Sequence, residues 1–315
     1  MYYRVIPFKR TFDTYGLIYC VRDELKNDIA PGKIVIVPFR DTQELALCVC
    51  EVGADNLNCA PKDIKDITSF QSDFIFLSPK QRELISFVSS HYITPIHHAL
   101  GLYFPRNLIE KIAKNTHDKI KISEYSYKNC NIPLTKSQDE IYSKITRGEQ
   151  NKHLIYGVTG SGKTQVYMKI IADNLATNKQ TLLLIPEIIL TSQIGERVRD
   201  VFGEEVIILH SGVTAAKKSK YWMDIHCGNA KIIIGTRSSL FYPYNNLGAI
   251  IIDEEHDSSY ISDQAPRYHS LDVAEKLSEL YDIPLILGSG TPRATTFYRA
   301  LQGEFQVLQL LEKFK

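Results

Sequence analysis

The sequence predicts a multidomain chain: a small β-rich domain over residues 1–72, a compact helical domain over 73–130, and an α/β domain with a parallel sheet over 131–315. Three observations predict it. Short apolar runs broken by turn residues fill the N-terminal stretch. Apolar residues at helical spacing follow. Beyond residue 131, strands apolar on both faces alternate with helix-length segments. A length of 315 residues suits two or three such units.

The β-rich domain rests on YYRVIPF, GLIYCV, KIVIVPF and ELALCVCEV, broken by Asp13, Gly16, Pro31-Gly32 and Asp41. Short strands with turn residues between them point to a small barrel or sandwich. Helical spacing begins at SPKQRELISFVSSHY, where Ser78 is a candidate N-cap and Pro79 stands at the first helical position. Leu84, Phe87 and Val88 repeat at i, i+3, i+4. PIHHALGLYFPRNLIEKIAK adds two short helices, interrupted at Gly101 and Pro105. The strand-like stretch DKIKISEYSY closes the region. Three helices and a terminal strand fit a winged-helix-like domain, and a plain three-helix connector remains open. Tyr127 to Pro133 reads as a linker.

In the third stretch the strands are HLIYGV, TLLLIPE, VIILH, KIIIGT, AIIIDEE and PLILGS. Their β-branched, two-sided apolar character is that of a parallel sheet covered by helices on both faces. Ligands of such sheets gather at the carboxyl ends of the strands.

Composition narrows the setting. Apolar residues make up 44% and charged residues 23%, ordinary globular values. No run reaches the ~18 apolar residues of a membrane helix. MYYRVIPFKR lacks the apolar core of a signal peptide. A cytoplasmic protein with no membrane partner is the simplest reading. A net charge of +1 excludes a polycation, so any nucleic-acid contact must come from local patches. Cys20, Cys48, Cys50, Cys59, Cys130 and Cys227 form no C-x-x-C pair, which favours buried free thiols over metal ligands.

The strongest motif is GVTGSGKT, Gly157 to Thr164, a G-x-x-x-x-G-K-[ST] loop between the strand HLIYG and the helix TQVYMKIIADNLA. Glycines let backbone N–H groups turn inward around phosphate oxygens, and the helix N-terminus adds a favourable dipole. Gly157, Val158, Thr159, Gly160, Ser161, Gly162, Lys163 and Thr164 are therefore candidate ATP contacts. Lys163 reaches toward the β- and γ-phosphates, and the Thr164 hydroxyl is a Mg²⁺ ligand. The second motif is LGAIIIDEEH, a buried strand ending in acids about 90 residues after Lys163. In that order Asp253 is a candidate Mg²⁺ holder and Glu254 the group that polarises the attacking water. His256 is a candidate coupling residue between nucleotide and nucleic acid, a structural histidine being the alternative.

The remaining strand ends carry PEIILTSQ (Pro186–Gln193), HSG (His210–Gly212), GTRSSLFYP (Gly235–Pro243) and GSGTPR (Gly288–Arg293). Ser, Thr, Gly and Arg at helix starts suit the phosphates of a nucleic-acid strand, although each alone would pass for ordinary capping. Four of them around an acidic box favour a nucleic-acid-tracking motor. Thr236 and Arg237 are the candidate DNA contacts of this set; Gly288 and Thr291 are candidate coupling residues.

Together these motifs resemble superfamily 2 helicases. With DEEHDSSYISDQAPRYHSLDVA added, they are similar to the replication-restart (primosomal) DNA helicase family along essentially the whole chain. The resemblance implies a RecA-like lobe for residues 131–315 and ATP-dependent 3′-to-5′ unwinding at stalled or forked DNA. It makes Gln138 of LTKSQ the adenine contact. It also makes DQAPRYHSLDVA a DNA-coupling loop with Arg267, Tyr268 and His269 as effectors, where Arg and aromatics suit phosphate contact and stacking. VIPFKRTFDTYGL is similar to the family's pocket for a nascent-strand 3′ end, with Phe12 and Asp13 as its aromatic–acid pair; Thr14 stands where a tyrosine is usual, and Tyr15 follows. No basic recognition helix stands out, Lys111, Lys114, Lys119 and Lys121 being the nearest to one. Partners implied are forked or single-stranded DNA, single-stranded-DNA-binding protein and primosome proteins.

The chain ends soon after GSGTPR without a second β-α series, and it lacks the cysteine cluster that holds zinc in the full-length family. The expectation is an incomplete motor that binds ATP, Mg²⁺ and DNA with little unwinding alone. A non-hydrolysing fork-binding module and a generic translocase fragment are the alternatives.

Overall fold

The computed structural model describes residues 1–53, 64–128, 130–148, 150–158, 160–187 and 194–312. Thr159, Cys59 and the Ile188–Gln193 part of PEIILTSQ lie outside the described residues. Contacts divide the chain into two compact units. One comprises Met1–Lys121, Ala215–Lys220 and Asp263–Tyr268; the other comprises Ile122–Thr214, Tyr221–Ser262 and His269–Lys315.

The first unit opens with an antiparallel sheet in the order β2-β1-β4-β3-β5. Its strands are β1 (Tyr2–Pro7), β2 (Leu17–Cys20), β3 (Ile34–Phe39), β4 (Thr42–Val52) and β5 (Ser69–Phe70). Alternating apolar residues put Val5, Tyr19, Val35, Val37, Ala46 and Cys48 in one core. Arg40 at φ 54° makes the tight link between β3 and β4, where Phe39 pairs with Thr42. A bridge between Cys20 and Asp66 draws the two edges together, so the sheet curls toward a barrel. Cys48 is buried and its thiol is pushed up to about 12 by that burial, whereas Cys50 is exposed. The expectation of buried thiols therefore fails at Cys50.

Three helices follow: α1 (Pro79–His91), α2 (Ile96–Tyr103) and α3 (Arg106–Ala113). The Ser78 N–H donates to Gln81 Oε1 at 2.6 Å, fixing the start of α1 ahead of Pro79. Helices and sheet share one interior. Gln71 Nε2 donates to the Ile112 carbonyl (2.7 Å), the Phe76 N–H donates to the Gly32 carbonyl (2.8 Å), and Phe8 meets Phe104 edge-on. No gap in packing falls at residue 72. The stretch DKIKISEYSY forms a short 3₁₀ turn (His117–Lys119) and then extended chain without a strand, so it supplies no wing.

The second unit is a seven-stranded parallel sheet in the order β12-β6-β11-β10-β7-β9-β8. The strands are β6 (Lys152–Gly157), β7 (Gln180–Leu184), β8 (Ile207–Leu209), β9 (Ile232–Gly235), β10 (Leu247–Asp253), β11 (Leu285–Ser289) and β12 (Gln306–Leu310). The helices are α4 (Lys136–Thr146), α5 (Lys163–Ala176), α6 (Ile194–Phe202), α7 (Ala215–His226), α8 (Ser270–Tyr281) and α9 (Ala294–Leu301). β6, β7, β10 and β11 are nearly all buried, as two-sided cover demands. β12 was not expected: Gln306 and Gln309 interrupt its apolar residues at the edge of the sheet, where it pairs Leu310 with Gly157. Among the described residues no helix is long and apolar enough to cross a membrane.

Candidate nucleotide site and nucleic-acid contacts

β6 delivers the chain at Gly157, and α5 carries it away from Lys163. Gly160 (φ 80°) and Gly162 (φ 89°) take the left-handed conformation that lets successive N–H groups face one hollow. The hollow lies on the N-terminus of α5. Lys163 is buried, and its Nζ donates to the Gly157 carbonyl at 2.7 Å. Val158 stands exposed, Thr164 is half-buried, and among the described residues the buried Ser161 Oγ has no hydrogen-bond partner.

Gln138 is 1% exposed. Its Oε1 accepts from the Thr135 N–H (2.9 Å), its own N–H donates to Thr135 Oγ1 (3.4 Å), and Nε2 donates to the Gly162 carbonyl (3.4 Å). It closes a capping box at the start of α4 and ties that helix to the loop. One bond at each end of the amide makes Gln138 in this conformation a brace for the loop.

Opposite the loop, β10 ends at Asp253. The hydroxyl of fully buried Tyr167, on α5, donates to Asp253 Oδ1 at 2.9 Å. Burial, and then the neighbouring Glu254 charge, push the Asp253 carboxyl up to about 6; the Tyr167 bond and Lys163 oppose them. The next residue, Glu254, sits at φ 47°, a conformation that costs a non-glycine residue about 1–2 kcal/mol. Several bonds hold this turn. The Tyr260 hydroxyl donates to the Asp253 carbonyl (2.6 Å), the Glu255 N–H to the Gly288 carbonyl (3.1 Å) and the Asp257 N–H to the Glu254 carbonyl (2.9 Å). Glu255 is buried and accepts from the Arg293 N–H (3.2 Å) and the Thr296 hydroxyl. Sequence reasoning missed Tyr167 and Glu255: one looked like core, the other like the middle of an acidic run.

The GSGTPR segment closes the site from β11. His256 Nδ1 lies 2.9 Å from Ser289 Oγ and 3.6 Å from a Glu254 oxygen, and the Thr291 N–H donates to Ser289 Oγ at 3.2 Å. Gly288 lies against the acidic box: a Cβ there would sit 1.6 Å from the Tyr167 hydroxyl and 3.1 Å from Asp253 Oδ1. His256, Gly288 and Thr291 are thus gathered at one strand junction.

The residues fit a magnesium nucleotide. A glycine-built hollow on a helix N-terminus and a buried lysine suit an anion, and the buried Asp253 carboxylate beside them suits its cation. Thr164 and Asp253 are the residues that would hold the cation. Among the described residues no three His, Cys, Asp or Glu side chains gather to hold a metal ion by themselves.

The expected DNA contacts fare unequally. Arg267 is exposed, whereas Tyr268 is 3% exposed and has no ring face for a base, which corrects its assignment as a stacking residue. His269 caps α8 through its Nδ1, which accepts from the Leu271 N–H (3.0 Å), and its other ring nitrogen meets Arg293. Thr236 is half-buried at the end of β9. Arg237 Nη1 donates to the carbonyls of Ser259 (3.0 Å) and Ile261 (2.8 Å), so its guanidinium clamps a loop. In the first unit Phe12 is 77% exposed with the Arg10 guanidinium 5.5 Å from its ring centre, and Tyr15 is 68% exposed. Asp13 Oδ1 accepts from the Tyr15 and Gly16 N–H groups (2.6 and 3.1 Å), building the turn that displays both rings. The Ile96 N–H and Ser89 hydroxyl fasten that turn through the carbonyls of Asp13 (3.0 Å) and Thr14 (3.1 Å).

A parallel sheet with a phosphate loop facing an acidic strand end defines a P-loop motor domain, and the comparisons agree. Residues 135–298 match the DEAD/DEAH box helicase family, just over half of the 315 residues, and the chain belongs to that family. Residues 5–105 match the 3′ DNA-binding domain (3′BD) found in PriA. The chain is similar to the replication restart protein PriA of Rickettsia prowazekii, with 36% identity over 312 residues, covering 99% of this chain and 46% of the relative. It is also similar to the replication restart protein PriA of Bacillus subtilis, with 38% identity over 214 residues, covering 65% of this chain and 27% of the relative. The chain therefore spans about half the length of the first of these relatives or less. Among solved structures, the Hef helicase domain of Pyrococcus furiosus aligns with 22% identity and a TM-score of 0.43, over 56% of this chain and 38% of that one.

Proposed function

We propose that this chain is the ATP-binding and fork-recognising portion of an ATP-dependent 3′-to-5′ DNA helicase that acts in replication restart, in the cytoplasm. One observation carries the reading. The P-loop lysine and the acidic strand end face the same hollow, tied together by the Tyr167–Asp253 bond, in a chain that also matches a 3′ DNA-binding domain.

When bound, ATP supplies the phosphoanhydride to be hydrolysed, and Mg²⁺ supplies the charge that neutralises its phosphates. The loop N–H groups and the α5 N-terminus bind phosphate oxygens. Lys163 exchanges the Gly157 carbonyl for phosphate, and Thr164 and Asp253 hold the cation. Glu254 orients a water and accepts its proton, while Tyr167 fixes the Asp253 rotamer. His256 and Thr291, joined through Ser289, couple the acidic box to the GSGTPR segment. Phe12 stacks on the terminal base of a strand with a free 3′ end, and the Asp13 oxygen outside the turn accepts from its hydroxyl. Arg267 contacts backbone phosphate. Forked or single-stranded DNA is the partner; single-stranded-DNA-binding protein and primosome proteins are the expected assembly partners.

The test uses the full chain with a fluorescent ATP analogue and forked DNA with or without a free leading-strand 3′ end. We expect analogue binding lost in Lys163→Ala and tighter binding of the fork that carries the 3′ end. Equal affinity for both forks would refute 3′-end recognition. Full analogue binding by Lys163→Ala would refute the nucleotide site.

A further inference from the structure

The Asp253–Glu254 turn is held from two sides. On one side, β11 and α9 supply the Gly288 carbonyl, the Arg293 N–H and the Thr296 hydroxyl. On the other stands a single side chain, Tyr260, only 2% exposed, whose hydroxyl reaches the Asp253 carbonyl at 2.6 Å. That carbonyl ends β10 just where the backbone turns into the left-handed region at Glu254. An orphaned buried carbonyl there would add to the cost of the turn.

Tyr260 is in turn held by its backbone. Its own carbonyl accepts from Ser270 Oγ at 2.8 Å. The carbonyls on either side of it, Ser259 and Ile261, both accept from Arg237 Nη1, at 3.0 and 2.8 Å. Arg237 follows β9 at the start of a 3₁₀ turn, two strands across the sheet from β10. A continuous path therefore runs from Arg237 through residues 259–261 and the Tyr260 ring to Asp253, and through the Asp253 carboxylate to Tyr167 on the helix that bears Lys163. A guanidinium can hold two carbonyls in fixed relation; an ammonium is a point charge that cannot replace its planar fork.

We propose that Arg237 and Tyr260 are positioning residues that set the Asp253–Glu254 turn for its cation, with Arg237 acting through the loop backbone rather than as a simple contact to DNA phosphate. The role of Asp253 toward the cation rests on the function proposed above; the mechanical relay does not.

The test compares the full chain with Arg237→Lys, Tyr260→Phe and the double variant. Arg237→Lys keeps the charge a DNA phosphate needs and loses the clamp. The first readout, hydrogen exchange of the Glu255 and Asp257 amides, needs no ligand. Loss of one net hydrogen bond makes exchange about fivefold faster in each single variant. In the double variant exchange is no faster than in the worse single one, because both act on one path. The second readout is the Mg²⁺ concentration for half-maximal binding of the ATP analogue, which rises severalfold in both single variants while DNA affinity in Tyr260→Phe stays that of the parent. Unchanged exchange in Arg237→Lys, or effects that multiply in the double variant, would overturn the relay. If the parent chain bound no analogue at all, the nucleotide reading would fail while the exchange readout still judged the relay.

Discussion

Gly288→Ala tests how the acidic box is built. The added Cβ would lie 1.6 Å from the Tyr167 hydroxyl oxygen, 2.9 Å from its Cζ and 3.1 Å from Asp253 Oδ1. Gly288 cannot retreat, because β11 pairs it directly with Asp253. The fully buried Tyr167 must move instead, and it would lose its bond to the carboxylate. Over-packing costs about 1–3 kcal/mol, and a hydrogen bond to a charged group contributes about 1.5–3. Together these place Gly288→Ala at about 2.5–6 kcal/mol less stable than the parent. Tyr167→Phe removes the bond but also the atom in closest conflict, so the double variant should cost little more than Tyr167→Phe alone. The expected coupling is about 2–5 kcal/mol in favour of the pair, read from urea unfolding of all four proteins in a double-variant cycle. Costs that add within about 0.5 kcal/mol would refute the close approach as the reason for the glycine.

Other outcomes follow from the same geometry. Gln138→Ala should lower the thermal midpoint of the nucleotide-free chain through loss of the α4 cap and the tie to Gly162, a cost of about 1–3 kcal/mol; an unchanged midpoint would return Gln138 to a role in base contact alone. Arg267→Ala should weaken DNA binding and flatten its salt dependence, whereas Tyr268→Phe should leave both as they are, in titrations at two ionic strengths. His97 supplies a pH signature. Burial, followed by the nearby His98 and Arg10 charges, holds its ring down at about 4, and the neutral Nδ1 accepts from the Thr11 N–H at 3.4 Å. The unfolded chain, with an ordinary value near ~6.5, takes up that proton first as pH falls. The contribution to stability is therefore complete above pH ~6.5 and is lost progressively toward pH ~4. His97→Gln should shallow the acid limb of a stability–pH profile, and an unaltered limb would count against the assignment.

Much of the second unit could be read from residue types. Two-sided apolar runs announced six of its strands, and a lysine after spaced glycines has few structural uses. What escaped depended on packing. β12 lies at the edge, where Gln306 and Gln309 interrupt its apolar residues, and so it lacks the run that marked the others. Tyr167 and Glu255 act from inside the protein, where a sequence shows only an aromatic on a helix and an acid among acids. DKIKISEYSY alternates like a strand for another reason. Ser123 and Tyr125 bind Asp224, and the Lys231 N–H donates to the Tyr127 hydroxyl, so every second residue from 123 to 127 binds within the second unit without a ladder partner. The capping box at Gln138 was legible in T-x-x-Q and passed over in favour of its family role. Tyr268 shows the limit of composition: an aromatic in a polar loop looks available until its burial is known.

The left-handed turn at Glu254 sets folding and chemistry against each other at one position. A glycine or asparagine there would relieve the backbone while removing the carboxylate proposed to activate water. Substitutions that silence hydrolysis would then tend to be tolerated, or even favoured, by the fold. Loss of turnover would accumulate quietly in copies released from selection, leaving a stable nucleotide-binding protein.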